Sequence, residues 1–164
     1  MKWFLVALAA AILAGAVYMQ LESVKTTYVN GLAPYTSLPG RVFILEKDCY
    51  IFKFRDRNSS WPLLGAHETV PDLPADVKEG FVGADFAAVR ILGVLRAGDR
   101  FRIVSVRKDE SRAHTDVTFE ILLDDENSRK YPRLDSFWIM DHSPEKSGGA
   151  PSILIDYAVP ERSQ

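Results

Sequence analysis

Hydrophobic and polar residues alternate most clearly around a turn near the middle of the chain. An apolar run, Val89–Leu95, enters residues 97–99 (Ala-Gly-Asp), and the run that leaves them alternates arginine with Phe101 and Ile103. A period of two is typical of a half-buried strand, and glycine and aspartate are favoured turn residues. The alternation changes phase at Val104, which indicates a bulge or a strongly bent strand.

The next alternating run predicts the partner of this strand. Val117–Leu123 follows the charged residues 107–114, which we interpret as a loop. Two alternating runs joined in this way predict a β-hairpin. We expect its second strand to place four residues in the core: Val117, Phe119, Ile121 and Leu123.

The rest of the chain contains further strand-like runs. Arg41–Leu45 and Cys49–Arg55 are separated by Lys47-Asp48 and predict a second hairpin with a short loop. Ser136–Met140 and Ile153–Val159 predict two later strands.

The long region between these strands is irregular and rich in proline. Within it, Asp72 as an N-cap and Gly80 as a stop predict one or two helical turns. We therefore predict a mainly β fold, a small antiparallel barrel with this long loop and one short helix. An apolar N-terminal helix precedes it.

One local pattern supports the barrel. The turn and strand Leu95–Ile103 resemble the local pattern of bacterial SH3-like barrels, which implies an SH3-like or related small barrel. The acidic and aromatic groove residues by which eukaryotic SH3 domains hold proline-rich peptides are not identifiable. The resemblance therefore implies a fold and not peptide binding.

The N-terminus carries the strongest functional signal. Trp3–Met19 has no charged side chain, and as a helix it would span about 26 Å, close to the hydrocarbon thickness of a bilayer. One interpretation is an uncleaved signal-anchor over residues 1–21, spanning a bacterial-type inner membrane. Lys2 then keeps the N-terminus cytoplasmic, and the C-terminal domain is periplasmic or extracellular. The alternative is a secretory signal cleaved near Ala16.

The sequence also indicates domain boundaries, and its charge limits the classes of partner. We predict a tether over residues 22–40, a β-domain over 41–160 and a tail over 161–164. The chain has 20 basic and 22 acidic residues, a formal net charge of −2. This balance argues against a nucleic-acid partner, which is usually bound by a basic surface. The expected partners are the membrane, through residues 3–19, and another protein.

Two features have both a structural and a functional interpretation. Cys49 is the only cysteine, so it is either a small buried residue or a reactive thiol, and no intrachain disulfide forms. Trp61, Leu63 and Leu64 form an apolar cluster in the polar loop. This cluster either closes one end of the barrel or contacts a partner protein.

Candidate catalytic residues are few. His67, His114 and His142 lie in three different loops, each within two residues of an acid, without metal-ligand spacing. We identify no catalytic motif, metal site or cofactor site. Two functions stay open: a non-enzymatic protein-interaction or assembly module of the cell envelope, and an exported metal-dependent or hydrolytic enzyme that uses the loop histidines.

Overall fold

The computed structural model describes residues 24–56, 61–111, 114–124, 127–142 and 151–161, and the fold is mainly β, as predicted. The strands are β1 Lys25–Tyr28, β2 Val42–Leu45, β3 Cys49–Phe54, β4 Leu63–Gly65, β5 Asp85–Phe86, β6 Val89–Leu95, β7 Arg100–Glu110, β8 Thr115–Leu123, β9 Leu134–Asp135, β10 Met140–Asp141, β11 Ser152–Ile153 and β12 Ala158–Pro160. Helix α1 spans Asn127–Lys130, and 3-10 turns span Tyr35–Ser37, Glu79–Phe81 and Phe137–Ile139.

Most of these strands belong to one sheet. Its order is β12-β2-β7-β8-β9-β4-β3-β6-β5, with β1 also on β7, while β10 and β11 form a separate pair. The β4–β9 pair is parallel, and the other pairs are antiparallel. The end strands β12 and β5 do not pair with each other, so the described strands form no closed barrel.

The predicted hairpin of β7 and β8 is confirmed. Its register runs from Phe101 opposite Leu123 to Glu110 opposite Thr115, so the strands are longer and the loop shorter than the sequence suggested. The register shifts at Val104, which confirms the bulge expected from the change of phase. The four predicted inward residues of β8 are all buried.

The hairpin predicted between β2 and β3 is wrong. Strand β2 pairs with β7 and β12, whereas β3 pairs with β4 and β6. The residues between them form a corner at which the chain moves to another part of the sheet. Alternation shows that both runs are strands, but it does not show which strands they pair with.

The turn at residues 97–99 is a second corner beside the first. Gly98 has a φ of +96°, and Asp99 accepts a hydrogen bond from the Arg96 N–H at 2.7 Å, the two properties expected of this turn. The backbone N–H of Leu45 donates to the Asp99 carbonyl at 2.9 Å, and the Gly98 N–H donates to the Leu45 carbonyl at 2.8 Å. Asp48 accepts from the Ala97 N–H at 2.9 Å and from the Arg96 guanidinium at 2.6 Å.

After β2 the chain turns at the first corner and forms strands β3 to β6 at one end of the sheet. It then returns to β7 through the second corner, which is hydrogen-bonded to the end of β2. We call residues 49–95, with strands β3 to β6, the inserted segment. It holds a small hydrophobic cluster of its own, with Tyr50, Phe52, Leu73 and Ile91 buried in it. The larger cluster lies against β2, β7 and β8, and it includes residues from the inserted segment such as Leu64.

Other parts of the chain differ from expectation. Within the predicted tether, β1 pairs with residues 107–110 of β7, and Val29 and Leu38 are buried. Residues 72–80 contain no α-helix, and a 3-10 turn begins at Glu79. Pro74 disfavours helical geometry at Leu73, the residue before it.

The two later strands differ from their predicted ranges. Most of the strand predicted at Ser136–Met140 is the 3-10 turn Phe137–Ile139, which is followed by the short strand β10. The strand predicted at Ile153–Val159 is divided into β11 and β12. The predicted signal-anchor lies outside the described residues. Within the described residues, no helix has the length and apolar character needed to cross a membrane.

Candidate functional site

The bulge in β7 creates a polar face on the sheet. Beyond Val104, Val106 points to the core, so Ser105, Arg107 and Asp109 point to the opposite face. Residues directly opposite each other in a ladder share a face, which extends the polar face across the neighbouring strands. Its further members are Asp116, Thr118 and Glu120 on β8 and Asp135 on β9.

An ion-pair network lies at the centre of this face. The Nε of Arg107 donates to Asp109 Oδ2 at 2.9 Å, and its Nη2 donates to Asp135 Oδ2 at 3.0 Å. The side chains of Arg107 and Asp135 are only 14% and 8% exposed. One arginine thus bridges two carboxylates in a site largely removed from water, where charge-assisted hydrogen bonds are strong.

Asp135 has two additional hydrogen-bond donors. The Thr118 hydroxyl donates to its Oδ1, and the Phe137 N–H donates to the same oxygen at 2.9 Å. Burial raises the pKa of Asp135 above its ordinary value, although these donors and the charge of Arg107 act in the opposite direction. Burial by itself would lower the pKa of Arg107, but the charges of Asp135 and Asp109 raise it above its ordinary value.

A pocket of about 190 Å³ opens beside this network. One wall is aromatic: the Trp138 ring centroid lies 5.8 Å from that of Phe54 and 5.5 Å from that of Phe137, in tilted and edge-on arrangements. Gly65 leaves space for Trp138, because a Cβ on this glycine would lie 3.1 Å from the Trp138 Cβ. Leu63 completes the apolar wall.

The opposite wall of the pocket is charged. It consists of Arg107, Asp109, Asp116, Asp135 and the hydroxyl-bearing Thr118. Asp116 lies nearest the solvent, with 43% of its side chain exposed, and its Oδ2 lies 3.2 Å from His114 Nε2. The lining therefore contains one basic and three acidic side chains, an excess of negative charge opposite three aromatic rings.

A second buried carboxylate lies beside the pocket on the same face. Glu120, with 4% of its side chain exposed, accepts hydrogen bonds from the hydroxyls of Ser105 and Tyr28 and lies 3.5 Å from Arg133 Nη1. The hydrogen bond to Glu120 raises the pKa of Tyr28. This group satisfies the polar atoms of the face next to the pocket and links β1 to β8.

The predicted partner-binding residues occupy different environments. Leu64 is fully buried in the main core, and Leu63 is largely buried, with part of its surface lining the pocket. Trp61 is partly exposed, and the Arg133 guanidinium lies 5.3 Å from its ring centroid. The partner contact proposed for this cluster stays a prediction.

The three histidines are held by separate partners. His67 Nδ1 lies 2.5 Å from the Leu73 carbonyl, and His114 pairs with Asp116 at the pocket rim. His142 lies against the Phe137 ring, with centroids 4.4 Å apart. No group of three or more His, Cys, Asp or Glu side chains that could bind a metal occurs among the residues the structure covers.

Cys49 is buried in β3. Burial raises the pKa of its thiol to about 12, and the nearby charges of Glu68 and Asp48 act in the same direction. A thiol with this pKa is protonated at neutral pH, so the reactive-thiol interpretation is not supported.

The residues that line the pocket were not predicted as a site from the sequence. Arg107 and Asp109 were assigned to a charged loop, and Asp135 was not singled out. A signal was present in the hairpin, because Arg107, Asp109, Asp116 and Thr118 continue the alternation of the two strands. Asp135 gave no such signal, since its position depends on the pairing of β9 with β8. Comparison with protein-family models, curated proteins and solved structures gives no match to this chain.

Proposed function

We propose that the chain is an envelope protein, anchored by its apolar N-terminal segment, whose β-domain is a non-enzymatic protein-interaction or assembly module. The charge-free run Trp3–Met19 after Lys2 supports the anchor. Strand β1 begins at Lys25, which would hold the domain close to the membrane surface. The location we propose is the periplasmic or extracellular side of a bacterial-type inner membrane, with secretion after cleavage near Ala16 as the alternative.

The pocket beside Arg107 is the observation that carries the binding function. Its charged groups bond to one another: Arg107 to Asp109 and Asp135, and Asp135 to the Thr118 hydroxyl and the Phe137 N–H. Such a network fixes the shape and charge of a surface, a property that recognition requires. The volume of about 190 Å³ lies below the range of roughly 300–1,000 Å³ usual for small-molecule sites and suits a single side chain.

We also propose that the sheet is related to small SH3-like barrels. Strand β7 is long and bulged, and it carries β2 and β1 along one edge and β8 along the other. A long central strand with a bulge supports a likeness to small SH3-like or related barrels. Such scaffolds commonly use the loops and strand ends around a rigid sheet for binding.

Two experiments test the proposal. Alkaline carbonate washing should leave the intact chain in the membrane fraction, and a soluble form beginning near Val17 would indicate cleavage instead. Pull-down from detergent extracts should then recover a protein partner with the unchanged chain. Asp116→Arg, which reverses the charge at the pocket rim, should reduce recovery. Asp85→Arg is the matched control, because the Asp85 side chain is 41% exposed and lies outside the pocket.

The enzymatic alternative predicts a different result. If the domain is an interaction module, a chain in which His67, His114 and His142 are all replaced by glutamine should still recover its partner. Recovery should be somewhat reduced, because His114 and His142 contact the pocket residues Asp116 and Phe137. A hydrolytic or metal-dependent enzyme that relies on these residues would lose its activity in the same variant, while its circular dichroism spectrum stayed unchanged.

A further inference from the structure

We infer that the pocket binds one cationic side chain, lysine or arginine, presented by the partner protein. That the carrier is a protein rests on the proposed function, but the ligand chemistry follows from the walls of the pocket. Those walls consist of an aromatic surface formed by Phe54, Phe137 and Trp138, and a charged surface that contains Asp109, Asp116 and Asp135.

The aromatic wall favours a cation. The face of an aromatic ring carries partial negative charge and attracts an ammonium or guanidinium group within about 6 Å of its centroid. The Trp138 ring contacts both neighbouring phenylalanines, so the three rings support one another and form a continuous surface. Tryptophan is the aromatic residue that binds cations most strongly.

The charged wall favours the same ligand. Arg107 is already bonded to Asp109 and Asp135, so its positive charge is compensated within the protein. With three carboxylates and one guanidinium, the lining would repel an anionic ligand. A neutral apolar ligand would remove water from Asp116 without replacing its interactions. A cation compensates the remaining charge at the rim.

The size of the pocket selects a side chain and not a larger molecule. About 190 Å³ accommodates a terminal ammonium or guanidinium group with part of its aliphatic stem, while the backbone that carries it stays outside. The apolar surface of Leu63 would contact that stem, as expected for the amphipathic side chains of lysine and arginine.

The test follows ligand binding through the pocket tryptophan. The chain contains three tryptophans, and Trp3→Phe together with Trp61→Phe leaves Trp138 as the only tryptophan, whose emission is followed with excitation that avoids the tyrosines. The full chain, in detergent micelles, is titrated with Nα-acetyl-lysine amide and Nα-acetyl-arginine amide. The uncharged controls of similar shape are Nα-acetyl-norleucine amide and Nα-acetyl-citrulline amide. We expect saturable changes in Trp138 emission with the two cations alone, weakened by salt.

Substitutions at two carboxylates then test whether Asp116 contributes the negative charge that binds the cation. Asp116→Asn should weaken binding of both cations about two- to fivefold, the range typical of an exposed ion pair. Asp85→Asn, a carboxylate of nearly equal exposure outside the pocket, should leave binding unchanged. Equal effects of the two substitutions, or equal binding of the charged and uncharged amides, would overturn the inference.

The outcomes separate this inference from the proposed function. If neither cation produces saturation at concentrations up to about 100 mM while partner recovery still falls in Asp116→Arg, the ligand class is wrong and the interaction module stands. If the cations bind but Asp116→Arg and Asp85→Arg recover partner equally, the pocket is a cation site and the proposed protein contact is wrong.

Discussion

Replacing Arg107 with methionine should destabilise the domain strongly at neutral pH. The side chain of Arg107 is 14% exposed and bridges Asp109 and Asp135, and the latter is 8% exposed. Methionine keeps much of the aliphatic volume but leaves Asp135 without its opposing charge. Removing one partner of a buried ion pair typically costs about 3–5 kcal/mol of unfolding free energy. Arg102→Met is the matched control on the same strand, because Arg102 is 51% exposed and 3.7 Å from Asp124, and its loss should cost under about 1 kcal/mol.

The pH dependence gives this prediction a second measurement. Without Arg107, the folded-state pKa of Asp135, already raised by burial, rises further above its unfolded value. The folded state then binds more protons than the unfolded state between those two pKa values. Stability therefore increases as pH falls through that window, by up to about 1.4 kcal/mol per pH unit, so the deficit of Arg107→Met should shrink on acidification.

Urea unfolding, followed by circular dichroism between pH 7 and pH 5, measures both effects. In the double variant Arg107→Met with Asp135→Asn, no carboxyl group titrates at position 135, so the added pH dependence should disappear. A single variant that costs under about 1 kcal/mol and follows the pH profile of the unchanged chain would refute the argument. The ion pair would then be a surface interaction despite its burial.

Three further predictions follow from burial and backbone geometry. A fragment of residues 24–164 should be soluble and rich in strands by circular dichroism, whereas residues 41–164 should be less stable by about 3–6 kcal/mol, since two buried side chains and β1 are lost. In urea unfolding, Leu64→Ala should cost about 2–5 kcal/mol, and Trp61→Ala should cost clearly less because that ring is partly exposed. Gly98→Ala should lower the free energy of unfolding by about 1–2 kcal/mol in the same assay, because a residue with a side chain is strained at the φ of +96° that position 98 adopts.

Several structural features formed by residues close together in the chain were predicted correctly from the sequence. The turn at residues 97–99, the bulge at Val104 and the hairpin of β7 with β8 all depend on residues close together in the chain. The inward residues of β8 followed from parity alone. The alternation continues to the end of the hairpin, but the charged residues at its tip resemble a loop in composition, which concealed Arg107 and Asp109 on the polar face.

Pairing between distant strands could not be predicted in this way. Strands β2 and β3 have the alternation of hairpin strands, yet β2 pairs with the distant β7 and β12, and β3 pairs with the distant β6 as well as with the nearer β4. The parallel contact of β4 with β9 joins Leu63 to Asp135 across 72 positions of the chain. The pocket lies at that contact, so Phe54, Leu63 and Asp135 join the hairpin residues from segments that no short pattern connects to them.

Ligand binding in the pocket is coupled to the contact between the inserted segment and the rest of the domain. Phe54 and Leu63 belong to that segment, whereas Trp138 and the charged wall belong to the rest of the domain. The pocket is therefore complete only while β4 stays paired with β9. A ligand that binds there adds its binding free energy to that pairing, and separation of β4 from β9 would release the ligand. Occupancy of the pocket and protection of β4 from hydrogen exchange should then change together.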